Sequence, residues 1–213
     1  MNRLILLGGF LLASTSLAAE GGVTREKQAA PLSEIERGFF FEARGGFWAT
    51  VSPPGQSVTP GGTMGAAGFS PGQAAEIDLG VDIGERVSLA LSLLGAFNRN
   101  GSDYLGLATT PRTATGDYSA LVPGASAKIR IVGFPDEQGV SRTWLYVRLA
   151  GGAVFYSPKD LLPKLDALVT GGFGIEYFTR LRHFSVGLEA NVNVALLTTT
   201  FGFSVLPTLK YSF

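Results

Sequence analysis

Gly202-Phe203-Ser204-Val205-Leu206-Pro207-Thr208-Leu209-Lys210-Tyr211-Ser212-Phe213 carries an apolar or ring-bearing residue at every odd position. The even positions are small or polar, with Leu206 the exception. A period of two is the pattern of a strand with one apolar face. Chain ends usually fray, so a terminal strand that closes on an aromatic is expected to pair with something. It reads as the closing strand of a transmembrane β-barrel, paired with the first strand.

The same alternation recurs upstream. In residues 39–50, Phe39, Phe41, Ala43, Gly45, Phe47 and Ala49 share one face, and Glu42, Arg44 and Trp48 the other. Residues 75–84 put Ile77, Leu79, Val81 and Ile83 outward against Glu76, Asp78 and Asp82. Residues 87–98 follow a tight turn at Gly84-Glu85-Arg86 and set Leu89, Leu91 and Leu93 against Ser88, Ala90 and Ser92. Further strands are expected at 121–131 (inner Lys128 and Arg130), 144–156 (inner Arg148) and 167–177 (inner Glu176). At 184–196 seven apolar residues alternate without error against Ser185, Gly187, Glu189, Asn191 and Asn193. With 202–213 the strands number eight, an even count as bacterial single-chain barrels require.

The connections after strands two, four and six are short, while residues 51–73 and 99–117 form long loops. Short turns at one end and long loops at the other match the periplasmic and extracellular ends of an outer-membrane barrel. Both termini then lie in the periplasm. The expected fold is all-β, an eight-stranded antiparallel transmembrane barrel of outer-membrane type with a lumen filled by polar side chains.

A soluble barrel such as a lipocalin also alternates, but it keeps apolar residues inside and charges in water. Here the charges fall on the face rich in glycine, serine and alanine, and the apolar face has none in any strand core. Lipid outside and polar inside fits that division. The expected lumen network comprises Glu42, Arg44, Glu76, Asp78, Asp82, Lys128, Arg130, Arg148, Glu176, Glu189 and Lys210. Eight strands enclose a space only wide enough for side chains, so these charges must pair. Pairs are expected across the small-residue third strand, and between Lys210 and Glu42 at the closure. Pro123 and Pro207 each remove a ladder donor, and a bulge or a missing bond is expected at both.

Seventeen basic and 17 acidic residues balance in 213, which argues against a nucleic-acid partner. There is no cysteine, hence no disulfide and no thiolate metal site. Arg3, the apolar run Leu4 to Leu12 and the small residues to Ala19 read as a signal peptide cleaved after Ala18 or Ala19. The expected organisation is a signal at 1–19, a periplasmic segment at 20–36 and a barrel at 37–213. An exported chain without a later apolar run of about 20 residues can enter a membrane only as a barrel.

Catalysis would need a nucleophile beside a base. The one histidine, His183, sits at an expected periplasmic turn between charged neighbours and reads as a surface residue. Gly61 to Gly72 lacks the lysine and the strand–turn–helix setting of a phosphate loop, and no metal-ligand spacing occurs. No enzyme activity, cofactor or metal is expected. The first long loop holds six glycines, Pro53, Pro54, Pro60 and Pro71, and no charge; the second holds Tyr104 and Tyr118 among charges. Loops on a rigid scaffold are where binding concentrates.

Arg37-Gly38-Phe39-Phe40-Phe41-Glu42-Ala43-Arg44-Gly45-Gly46, the segment Glu76 to Phe97, and Leu209-Lys210-Tyr211-Ser212-Phe213 resemble the small outer-membrane barrels of myxobacteria, and within them a barrel of the adventurous gliding motility system. The resemblance implies a non-enzymatic component of a cell-envelope machine in the outer membrane. Its partners would be outer-membrane lipid and other envelope or motility proteins, met through the long loops or the periplasmic segment. It also implies that Leu209, Tyr211 and Phe213 serve as a barrel-assembly signal. An adhesin or receptor acting through the loops, and a narrow pore, are the alternatives.

Overall fold

The computed structural model describes residues 35–51, 53, 55–58, 64–66, 68–101, 103–107, 116–159, 161–163 and 165–213. The expected signal peptide and most of the segment after it lie outside the described residues. Eight long strands close a barrel: β1 (Phe39–Val51), β4 (Phe69–Ile83), β5 (Val87–Asn98), β7 (Tyr118–Pro135), β8 (Ser141–Ser157), β9 (Asp166–Phe178), β10 (Phe184–Ala195) and β11 (Thr200–Ser212). Each pairs antiparallel with its neighbours in sequence, and β1 closes against β11 over Phe40↔Ser212 to Val51↔Phe201. The long terminal strand is therefore satisfied on both edges, as a chain in lipid requires.

Alternation becomes burial directly. Along β11 the even positions are buried, Leu206 and Lys210 included, and most odd ones are exposed. Leu91, Leu149 and Phe173 stand mid-strand and are 72%, 61% and 70% exposed. In water, each such side chain would forgo about 1.5–3 kcal/mol of burial. A continuous apolar belt on a closed barrel is the surface that lipid covers.

Most strands begin or end within three residues of the sequence expectation, and two boundaries depart further. The strand starting at Ala75 begins at Phe69, and the one ending at Ile131 runs on to Pro135. A bulge between Arg130 and Val132 explains the second: Ile131 and Val132 both face outward, which breaks the period of two. Gly133 then lies under the Trp144 ring. The connection is only residues 136–140. Asp136 builds it, accepting from the Gln138 and Val140 N–H groups (2.8 and 3.1 Å) and from Arg142 Nε (2.8 Å). Slight desolvation pushes the Asp136 carboxyl up, but these bonds outweigh it and hold the group below the usual carboxylate range.

Both prolines interrupt a ladder. The β1–β11 pairing steps from Arg44↔Thr208 to Phe47↔Val205, passing over Pro207. The β7–β8 pairing steps from Leu121↔Phe155 to Gly124↔Gly152, passing over Pro123. Glycines face both gaps. A side chain at Gly46 would meet the Val205 carbonyl and the Pro207 ring, and one at Gly152 the Pro123 carbonyl. The lost bond is thus accommodated by close backbone approach.

Leu91→Arg places a charge in the apolar belt at a cost of about 2–4 kcal/mol at the midplane. It should abolish the heat-modifiable gel migration of the folded barrel, whereas Ser92→Ala, on the inner face, should preserve it. Equal behaviour of the two would invert the assignment of inside and outside.

Candidate functional site

Eleven charged residues project inward from seven strands and are at most 8% exposed. They form one unbroken chain of contacts. Lys210 Nζ meets both Asp82 oxygens (2.8 and 2.7 Å). Asp82 also takes Arg130 (3.4 Å) and the Ser88 hydroxyl (2.5 Å). Arg130 Nε donates to Glu176 (2.7 Å), and Lys128 bridges Glu176 (3.8 Å) to Glu42 (3.0 Å). Glu42 takes Arg44 (3.1 Å), which also contacts Glu76 (3.3 Å) and Asp78 (2.9 Å). Arg148 joins that pair of carboxylates to Glu189 (3.4 Å), on which the Tyr146 hydroxyl (3.0 Å) and the Asn191 amide (3.0 Å) also converge.

Contacts of three reaches make up the chain, the shortest being Arg44 to Glu42 on its own strand and to Glu76 and Asp78 on the adjoining β4. Asp82–Arg130 passes over the small Ser88 of β5, as the sizes of the inner residues suggested. Lys128–Glu42 and Arg148–Glu76 instead span the lumen between strands with two others between them. The expected Lys210–Glu42 pair does not form, although the two residues are opposite in register. Lys210 lies 4.0 Å from the centre of the Phe40 ring and ends on Asp82, while Lys128 takes Glu42. The cation–π contact and a second carboxylate on β4 outweigh the nearest one.

At the end with the short turns the network meets a layer of rings and guanidiniums. The Phe178 ring lies between the guanidiniums of Arg130 and Arg37, at 5.2 and 5.6 Å, and Arg37 also covers Trp144 at 6.0 Å. Glu36 holds this entering segment by its N–H to the Arg182 carbonyl (3.1 Å) and by its carboxylate to His183 Nδ1 (3.4 Å).

Above the charges the lumen turns apolar. Trp48, Leu94, Val122, Val154, Leu168 and Leu206 pack together there. Two cavities of about 30 and 20 Å³ remain, room for a water or two.

The long loops hold a second small sheet that the sequence did not suggest. Strands β2 (Gln56–Val58) and β3 (Met64–Ala66) from the first loop join β6 (Tyr104–Gly106) from the second, in the order β3-β2-β6. The connection between β8 and β9 is tied in by Leu107 N–H to the Leu161 carbonyl (2.9 Å). Tyr104, Leu105, Leu161 and Leu162 are buried, and the rings of Tyr104, Tyr118 and Tyr156 pack in series at 6.1 and 6.3 Å. Burial, then the neighbouring Tyr118 and Tyr156, push the Tyr104 phenol up from its ordinary pKa. Asp166, also missed, fixes the rim by accepting from the N–H groups of Ala167 (2.7 Å), Leu197 (2.8 Å) and Thr198 (3.2 Å) and from the Thr198 hydroxyl (2.6 Å). Its signal was an aspartate at the start of an apolar strand, facing a threonine-rich turn.

On the closing strand Leu209 is half exposed on the outer wall. Tyr211 packs against His183 (5.3 Å), Phe184 (5.0 Å) and Phe213 (5.0 Å). Backbone bonds from Ser212 to His183 and from Phe213 to Phe39, both 2.8 Å, hold the strand's end.

No family model matches the sequence, and no curated protein matches it. Solved structures do. Neisserial surface protein A is similar at 13% identity over 84% of this chain and 100% of its own, with a TM-score of 0.57. The outer membrane protein OprG from Pseudomonas aeruginosa is similar at 12% identity over 85% and 99%, with a TM-score of 0.49. Ail, the attachment invasion locus protein of Yersinia pestis, is similar at 12% identity over 82% and 98%, with a TM-score of 0.40. At 13% identity the first of these establishes a shared fold, the eight-stranded outer-membrane type.

Breaking the chain of charges strands a partner in the lumen, which costs about 3–5 kcal/mol. Lys210→Met should lower the unfolding free energy of barrels folded in vesicles, read from denaturant titration, by that amount. Adding Asp82→Asn should recover part of the loss, because the stranded carboxylate is gone. Additive losses would show that the pair is not coupled.

Proposed function

We propose that this chain is a non-enzymatic outer-membrane barrel that presents a folded cap to the outside and works by holding a partner, not by passing solute. The observation that carries the reading is a lumen packed with ion pairs and apolar side chains, leaving room for only a water or two, beneath loops knitted into a sheet. The short turns and Glu36 then face the periplasm, and the cap faces outward. The N-terminal stretch acts as the export signal. Leu209, Tyr211 and Phe213, on the outer wall beside the closure, act as the signal for barrel assembly.

The cap also offers something to bind. Leu107, Leu165, Leu196 and Leu197 are 54%, 50%, 54% and 72% exposed around the loop end. Apolar side chains clustered on a rigid rim suit a protein partner. The sequence resemblance makes that partner part of a cell-envelope machine, the gliding motility apparatus; an adhesin's external receptor is the competing occupant.

Replacing residues 56–66 with a short Gly/Ser linker should leave heat-modifiable migration intact and remove the partners that crosslink to the cell surface. If those partners are the motility apparatus, the same variant stops single-cell gliding; if they are an external receptor, gliding continues and attachment is lost. Unchanged crosslinks, gliding and attachment would contradict the proposal.

A further inference from the structure

The outer wall is not uniformly convex. A groove of about 640 Å³ runs across β1, β4, β5 and β7 in the half of the barrel near the short turns. It arises where two paired rows of larger side chains end on alanine. One runs Phe39, Val81, Leu89, Ala127, and the next runs Leu79, Leu91, Ala125. Phe39 and Leu91 stand up as walls, 73% and 72% exposed, and Ala125 lies low at one side. Gly80 forms floor there, its inner side filled by the Phe40 ring. Phe213, bonded to the Phe39 carbonyl, closes the end near the turns.

The groove lies within the uncharged belt and is continuous with it, so its surroundings are acyl chains. An open, shallow trough between protruding side chains fits a flexible chain better than the flat wall of another barrel. Its volume falls in the roughly 300–1,000 Å³ range of small-molecule sites. Arg86 is exposed on the turn joining β4 to β5, two of the strands that line the groove. Glu85, beside it, is engaged by Arg37 at 3.8 Å. A cation at the aromatic rim matches the headgroup level of a bilayer.

We propose that this groove holds an acyl chain of one phospholipid from the periplasmic leaflet, with Arg86 against its phosphate. The proposal rests on the membrane-spanning reading of the barrel.

The full chain, extracted from outer membranes in mild detergent, is first checked for heat-modifiable migration and then weighed by native mass spectrometry. About one phospholipid per chain should be retained. Ala125→Phe and Val81→Phe each fill the groove from a different strand and should cut retention about tenfold, the factor that accompanies a loss of about 1.4 kcal/mol. Leu149→Phe, on the belt outside the groove, should retain lipid as wild type does. Arg86→Gln should reduce the preference for phosphatidylglycerol over phosphatidylethanolamine. Equal retention in the filled variants, or a bare wild type that is heat-modifiable, overturns the proposal while leaving the barrel reading intact. So does disulfide-linked dimer formation by Leu91→Cys in membranes, which would assign the groove to a second copy. A wild type without heat-modifiable migration overturns the barrel reading itself.

Discussion

Eight strands enclose a space that side chains fill, and this constraint governs the rest of the structure. A charge placed there cannot reach bulk water, so it must find a counter-charge within its own length or lose several kcal/mol. The chain answers with a single connected series, Lys210 through Asp82, Arg130, Glu176, Lys128, Glu42 and Arg44 to the Glu76, Asp78, Arg148 and Glu189 group. Such pairs add little net stability over an apolar filling. They do demand that each strand sit at its own register, because a slip of one residue turns every charge toward lipid. The network and the belt therefore specify the same register from opposite faces.

Filling the lumen also underlies the proposed function. Charges and stacked rings block the end with the turns, the Trp48 and Leu206 cluster blocks the middle, and the Tyr104 and Leu161 cluster closes the loop end. A solute would have to break all three. The parts left free to act are the outer surfaces: the cap, the turns and the belt. The proposed function accordingly lies at the ends and the wall of the barrel.

The strands were legible because lipid and lumen impose opposite chemistry on adjacent residues. Residues 184–196 announce that division in the sequence, and β10 follows it. The extra residue at Ile131 hid the end of β7, since a bulge resets the phase that the reading depends on. Which charges faced inward could be read from parity alone. Which charge met which could not: Lys210 chose Asp82 over the opposite Glu42 because of the Phe40 ring, and that is a three-dimensional fact. The cap was illegible for another reason. Its strands are three residues long, too short for a period, and are held by contacts between loops far apart in sequence. Asp166 was equally hidden, as its partners lie about 30 residues downstream.

The central claim is a closed lumen, and current through single molecules tests it most directly. Full-length protein inserted into planar bilayers should give no resolvable conductance steps at any salt concentration, with insertion verified by protease protection. Stable unitary steps that scale with salt would show a continuous aqueous path and contradict the account.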